Sequence, residues 1–507
     1  MPDVFHNMIL GFSVILSPEN LFFCFLGVLS GTLVGVLPGI GPIAGMSLLL
    51  PITFHITAIQ AIIMLAGMFY GTQYGGSTTS ILVNIPGEAA SVVTCIDGYK
   101  MALKGRAGSA LGISAFGSFI GGTLSILGLM LIAPPLARAA LAFGPPEFFS
   151  LLLLCLPLMT YLGSGKKAKM WMMAILGLFL GTIGLDIFTG EERFAFGSMT
   201  LTDGLGLAPV AMGLFGVSEI LMNIFGIESR KEVIRTRIKD LLPSADEWRL
   251  SLMPMARGSI LGFLIGVLPG AGPIISSFTS YALEKRLSKH PERFGNGAIE
   301  GIAGPETANN AATGGSFIPL LTLGVPSNTV TAILLAAFLV HGLLPGPRLI
   351  QANPALFWGI ITSMYVGNVM LLILNLPLIS IWVQVLRVPY IILFPIILMF
   401  MIIGCYSVNS NILDVLIMGF SGIFGYLLRK LDFNSAPLIF GLILSPILEG
   451  AFRQSLMMSK GSFLIFVARP ISLTILIIFV LIVFLPVLKM PRWFSWFRDA
   501  EDFGEGK

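Results

Sequence analysis

Two nearly identical runs interrupt otherwise apolar sequence: Gly35-Val-Leu-Pro-Gly-Ile-Gly-Pro-Ile43 and Gly266-Val-Leu-Pro-Gly-Ala-Gly-Pro-Ile274. Each proline lacks a backbone N–H, and each glycine favours non-helical backbone, so no continuous helix passes through. Two half-helices must meet at each break. Half-helix N-termini offer N–H groups to an anion, and carbonyl ends can hold a cation. Gly39, Gly41, Gly270 and Gly272 are therefore candidate binding residues.

A second motif is polar where its surroundings are apolar. It comprises Gln73 to Ser80 with Asn84 in one half of the chain, and Thr307 to Ser316 in the other. Ser77, Thr78, Thr79, Asn84, Asn309, Asn310, Thr313, Gly314, Gly315 and Ser316 are uncharged or small groups that can hold a carboxylate without trapping it in a buried ion pair. The plainer reading is interhelical packing by small and hydroxyl residues. After each motif come further helix breaks with polar groups, Pro86-Gly87-Glu88 and Pro326-Ser327-Asn328, so Ser327 and Asn328 join the candidates. An ionisable residue at the centre of a membrane helix costs roughly 2.5–3.5 kcal/mol on insertion scales, which marks Glu219, Glu306 and Asp414. Glu306, beside the second motif, is the candidate for cation coupling; structural pairing suits the other two.

The elements that position these residues must lie in a membrane. Of 507 residues 55% are hydrophobic and 11% charged, against about 25% charged in a soluble chain. Spans of helix-crossing length are expected near 58–74, 109–132, 147–162, 169–188, 208–226, 328–345, 356–375, 390–405, 411–428, 436–450 and 470–488. The class is an all-α polytopic membrane protein with about eleven or twelve segments. A net charge of +4 is too small an imbalance to suggest nucleic acid. Cys24, Cys95, Cys155 and Cys405 are dispersed and read as small apolar residues. Gly39-Ile-Gly-Pro-Ile-Ala-Gly45 has no βαβ context for a dinucleotide fingerprint, and no HExxH, P-loop or close aspartate pair occurs, so no enzyme and no cofactor is expected. No Lys or Arg precedes Lys100, so the basic start of a cleavable signal peptide is missing and the first apolar stretch is expected to be retained.

The two halves repeat. Gly35 and Gly266 are offset by 231 residues (266 minus 35), Ile85-Pro86 and Val325-Pro326 by 240 (325 minus 85), and Ala208-Pro209 and Ala436-Pro437 by 228 (436 minus 208). The expected organisation is an N-terminal segment 1–20, a membrane repeat 21–226, a linker 227–251, a second repeat 252–454, a final span within 455–488 and a tail 489–507. The linker region is charged, with 12 charged residues among the 30 from Glu228 to Arg257. Basic residues alternate between equivalent loops: Lys100, Lys104 and Arg106 face only Arg348, whereas 53–57 is uncharged and 284–293 carries Lys285, Arg286, Lys289 and Arg293. The positive-inside rule then implies inverted-topology repeats, with linker and C-terminus cytoplasmic and the stretch from Arg257 to Lys285 a re-entrant hairpin.

These motifs, with the run Gly304-Pro-Glu-Thr-Ala-Asn-Asn-Ala-Ala-Thr-Gly-Gly-Ser316 to Gly324-Val-Pro-Ser-Asn328, resemble the large membrane subunit of the tripartite tricarboxylate transporter family, the TctA type, over about 20–490. The resemblance implies a secondary transporter of the bacterial inner membrane. It implies two partners, a small membrane subunit and a periplasmic solute-binding protein that delivers a carboxylate. It also implies uptake driven by an ion gradient. Na⁺ is expected over H⁺, since the central motifs hold few titratable groups. The alternative is a passive anion pore built on the same repeats.

Overall fold

Backbone in hydrocarbon must satisfy its own hydrogen bonds, so apolar sequence of this kind folds as helix. The computed structural model describes residues 2–37, 40–162, 166–186, 188–224, 238–386 and 390–484. They are almost wholly helical; the described strands are the two-residue pair Gly184–Leu185 and Glu192–Arg193, joined antiparallel. Six described helices are long and apolar enough to cross a bilayer: Pro18–Val36, Ala107–Ala140, Ala245–Val267, Pro354–Asn375, Ile412–Lys430 and Ala436–Met458. Shorter apolar helices lie between them. The chain is a multi-pass membrane protein.

Three boundaries depart from the sequence reading. The Pro18–Val36 helix was absent from the expected spans because Gly27, Gly31 and Gly35 dilute its apolar character. The Ala58–Val83 helix runs straight through the polar motif, and Gln73 to Ser80 are buried in it. These residues face protein, so their polarity does not end the span. The Ala245–Val267 helix begins inside the stretch read as linker: the Ser244 hydroxyl accepts the Glu247 N–H, and the Glu247 carboxylate accepts the Ser244 N–H. Charge there caps a helix, since acidic groups are favoured at helix N-termini. The linker's Arg230, Lys231, Arg235 and Arg237, and the tail with Lys489 and Arg492, lie outside the described residues.

Glycine sets the central packing. A Cβ at Gly27, Gly31 or Gly35 would run into the carbonyls of Met64, Met68 and Thr72 on the 58–83 helix. In the second half, Gly258, Gly262 and Gly266 meet the carbonyls of Gly304, Ala308 and Ala312 on the Glu300–Gly315 helix. The first members are offset by 231 and the second by 240, the offsets read from the sequence motifs (258 minus 27; 304 minus 64). The two halves thus make the same backbone-to-backbone contact, which small residues permit.

A carboxylate fastens the halves together. Asp97, on the Val92–Leu103 helix, is fully buried. Its Oδ1 accepts the N–H groups of Gly295, Gly297 and Ala298 at 2.6–2.9 Å, and its Oδ2 accepts the Tyr281 hydroxyl at 2.9 Å. Elsewhere, Arg193 and Arg453 bind Glu449, each at 2.9 Å, and Arg453 binds Asp186 at 2.8 Å.

Replacing Gly262 with leucine should lower stability by about 1–3 kcal/mol, the usual cost of overpacking. Thermal unfolding of the purified protein in detergent measures it; an unchanged midpoint would mean that the helices do not touch there.

Candidate functional site

Both glycine–proline breaks open onto one cavity of about 330 Å³. At the second break the Ala245–Val267 helix ends at Leu268, and the Gly272–Leu287 helix starts at a glycine with φ of +59°. At the first, Pro18–Val36 ends at Leu37 and Gly41–Thr53 starts with Gly41 at φ of +66°. This left-handed backbone suits glycine and turns the chain sharply into the next helix. Gly39 lies outside the described residues.

The cavity wall includes the first turns of three helices: Gly41 to Ala44, Gly272 to Ile275, and Thr329 and Val330 of the Thr329–Val340 helix. No side chain caps the first two. Their first-turn N–H groups have no intrahelical partner, and the helix dipoles add positive potential. Ala436, the first residue of a fourth helix, lies beside them. Arg429, near the end of the Ile412–Lys430 helix, also lines the cavity and is ion-paired with Glu219. First-turn N–H groups of the kind that can hold an anion, and a guanidinium paired with the Glu219 carboxylate, therefore face one space.

The polar motifs surround this space unequally. Gly270 lines it and donates its N–H to the Ser327 carbonyl at 2.6 Å; Asn328 also lines it and caps the 329–340 helix by accepting the Thr331 N–H at 3.0 Å. Gln73 and Glu88 line it too. The other candidates pack behind the wall. Ser77 donates to the Glu306 carboxylate at 2.6 Å, and Thr79 to the Val36 carbonyl at 2.6 Å. Asn310 donates to the Glu306 carbonyl at 3.2 Å, Thr313 to the Asn309 carbonyl at 3.0 Å, and Ser316 to the Thr313 carbonyl at 2.6 Å. Thr78 is buried; Gly314 packs on Ser125 and Gly315 on Phe263. Asn84, exposed, ends the 58–83 helix at φ of +58°, the role Gly324 plays 240 residues later at +68°. Asp414 accepts a hydrogen bond from Asn409 at 2.8 Å.

Glu306 is 1% exposed and is held by hydroxyls: Thr94 at Oε1, and Ser77 and Ser118 at Oε2. No described Lys or Arg is paired with it.

A family model described as the tripartite tricarboxylate transporter TctA family matches residues 21–440. The chain belongs to that family. A TctA-family chain is a component of a transporter. An uncharacterized 52.8 kDa protein in the TAR-I ttuC' 3' region of Agrobacterium vitis is 51% identical over 495 residues, covering 97% of this chain and 98% of the relative. An uncharacterized protein in the TAR-II ttuC' 3' region of the same organism is 50% identical over 234 residues, 46% of this chain and 97% of the relative. An uncharacterized protein of Methanocaldococcus jannaschii is 24% identical over 276 residues, 53% of this chain and 62% of the relative. No solved structure matches.

Nothing local in the sequence points to Arg429, since only the tertiary structure places the end of one helix against the break at Gly270 to Pro273. Removing a charged hydrogen-bond donor typically costs about 1.5–3 kcal/mol, so Arg429→Gln should raise the half-saturating carboxylate concentration for transport about tenfold or more. Uptake kinetics at matched expression measure this; an unaltered half-saturation would remove Arg429 from the binding wall.

Proposed function

We propose that this chain is the large membrane subunit of a binding-protein-dependent secondary transporter that imports tricarboxylates or related carboxylates. One observation carries the reading: uncapped N-termini from both halves of the chain, with Arg429, face a single cavity. A carboxylate there would accept N–H donors from both halves, whereas a purely structural kink needs no shared space. Gly41, Gly270, Gly272 and Asn328 would contact the substrate directly. The hydroxyl and amide residues behind them, Ser77, Thr79, Asn310, Thr313 and Ser316 among them, would hold the wall in shape.

The partners are a small membrane subunit and a periplasmic solute-binding protein that supplies the ligand. The repeats are inverted, with the linker and C-terminus cytoplasmic in the bacterial inner membrane, and transport proceeds by alternating access driven by Na⁺.

The test is uptake of radiolabelled citrate into proteoliposomes holding this chain, its small subunit and the binding protein. Accumulation above the external concentration that requires both the binder and an inward Na⁺ gradient is expected. Equilibration without accumulation would identify a passive pore instead. Inversion has its own test: cysteines replacing Lys104 and Arg348 should be labelled from opposite sides of the membrane, and labelling of both from one side would refute it.

A further inference from the structure

The two halves place a capping residue at the same point, with one chemical difference. Glu88 begins the short 3-10 helix Ala89–Ser91, its Oε2 accepting the Ala90 N–H at 2.6 Å while its own N–H and carbonyl engage the Ser91 hydroxyl. At an offset of 240, Asn328 and Thr331 form the same reciprocal arrangement. Capping needs one acceptor oxygen, and Asn328 shows that an uncharged amide supplies it. The charge and the second oxygen of Glu88 are therefore surplus to capping.

That second oxygen is short of partners. Glu88 is 7% exposed, and the donor within reach of its Oε1 is the amide of Asn309 beside it. Two buried acceptor oxygens have no donor of their own: Oε1 of Gln73, 1% exposed, and Oδ1 of Asn309, 0% exposed. Gln73 and Glu88 line the same cavity. A buried carboxylate oxygen left alone costs several times a neutral group, and buried amides are normally satisfied. Three such groups together form an oxygen-rich, singly charged cradle. Hard cations take oxygen ligands of this kind.

We propose that Glu88, Gln73 and Asn309 bind the Na⁺ ion that drives transport. This rests on the transporter reading and supplies it with a cation site. Glu88 is the one acidic side chain of the three, which gives the low charge suited to a site that must release its ion in each cycle. Glu306 differs from Glu88 in that its oxygens already accept hydroxyls. Its role is to hold the 58–83, 92–103, 107–140 and 300–315 helices around the site.

The experiment reads ion binding without transport. The purified complex with its small subunit is unfolded thermally across a series of NaCl concentrations at constant ionic strength, with KCl or choline chloride as replacement and no carboxylate present. The wild type should show a saturable, Na⁺-selective rise in unfolding temperature, as expected for a ligand that binds only the folded state. Glu88→Gln keeps the capping oxygen and should abolish that rise. Glu88→Asp and Asn309→Ala should raise the half-saturating Na⁺ about tenfold, as loss or displacement of one ligand does; these two decide the matter if Glu88→Gln does not yield folded protein. A wild type stabilised equally by K⁺, or variants with unchanged Na⁺ dependence, would overturn the assignment. Failure of carboxylate uptake alone would not, because Na⁺ binding is read separately.

Discussion

Everything central in this molecule follows from the price of leaving a peptide group unpaired away from water. A helix interrupted in hydrocarbon exposes N–H and carbonyl groups that lipid cannot satisfy, so each glycine–proline break must be walled in by protein. The glycine rows provide that wall. By removing the side chain at each point of closest approach between the 18–36 and 58–83 helices, and between 245–267 and 300–315, they bring backbone against backbone beside each break. Bulky apolar side chains, Phe69, Met159, Met170 and Phe215 among them, complete the wall around the cavity.

The wall in turn fixes what the cavity can hold. Uncapped helix starts give it positive potential, the ion pair of Arg429 with Glu219 lies on its wall, and Glu88 places a further carboxylate within the same boundary. Opposite charges in one partly buried space attract strongly because little solvent screens them.

The sequence was legible where chemistry is local. Prolines and glycines announced both breaks, the polar runs were visible against apolar neighbours, and the repeated offsets reappear as matching contacts at Gly31 and Gly262. Asn84 and Gly324 likewise end their helices where Pro86 and Pro326 required it. It was less legible where tertiary structure decides. Gln73 and Glu88 reach the cavity while Ser77, Thr313 and Ser316 turn to carbonyls and carboxylates behind it, a distinction of helix face that type and spacing do not reveal. Arg429 was hidden for the same reason. The Ala245–Val267 helix was misplaced because charges at Asp246, Glu247 and Arg249 read as solvent-exposed linker when they begin a helix.

The two offsets, 231 before the second break and 240 after it, have a consequence of their own. Neither glycine row tolerates a change of length, since one added residue would rotate every contact out of line. The nine-residue difference between the halves (240 minus 231) falls between the helices, in the stretch after Leu287. That stretch now supplies Gly295, Gly297 and Ala298 to the carboxylate of Asp97. The one stretch where the two halves can differ in length is thus the latch by which one half grips the other.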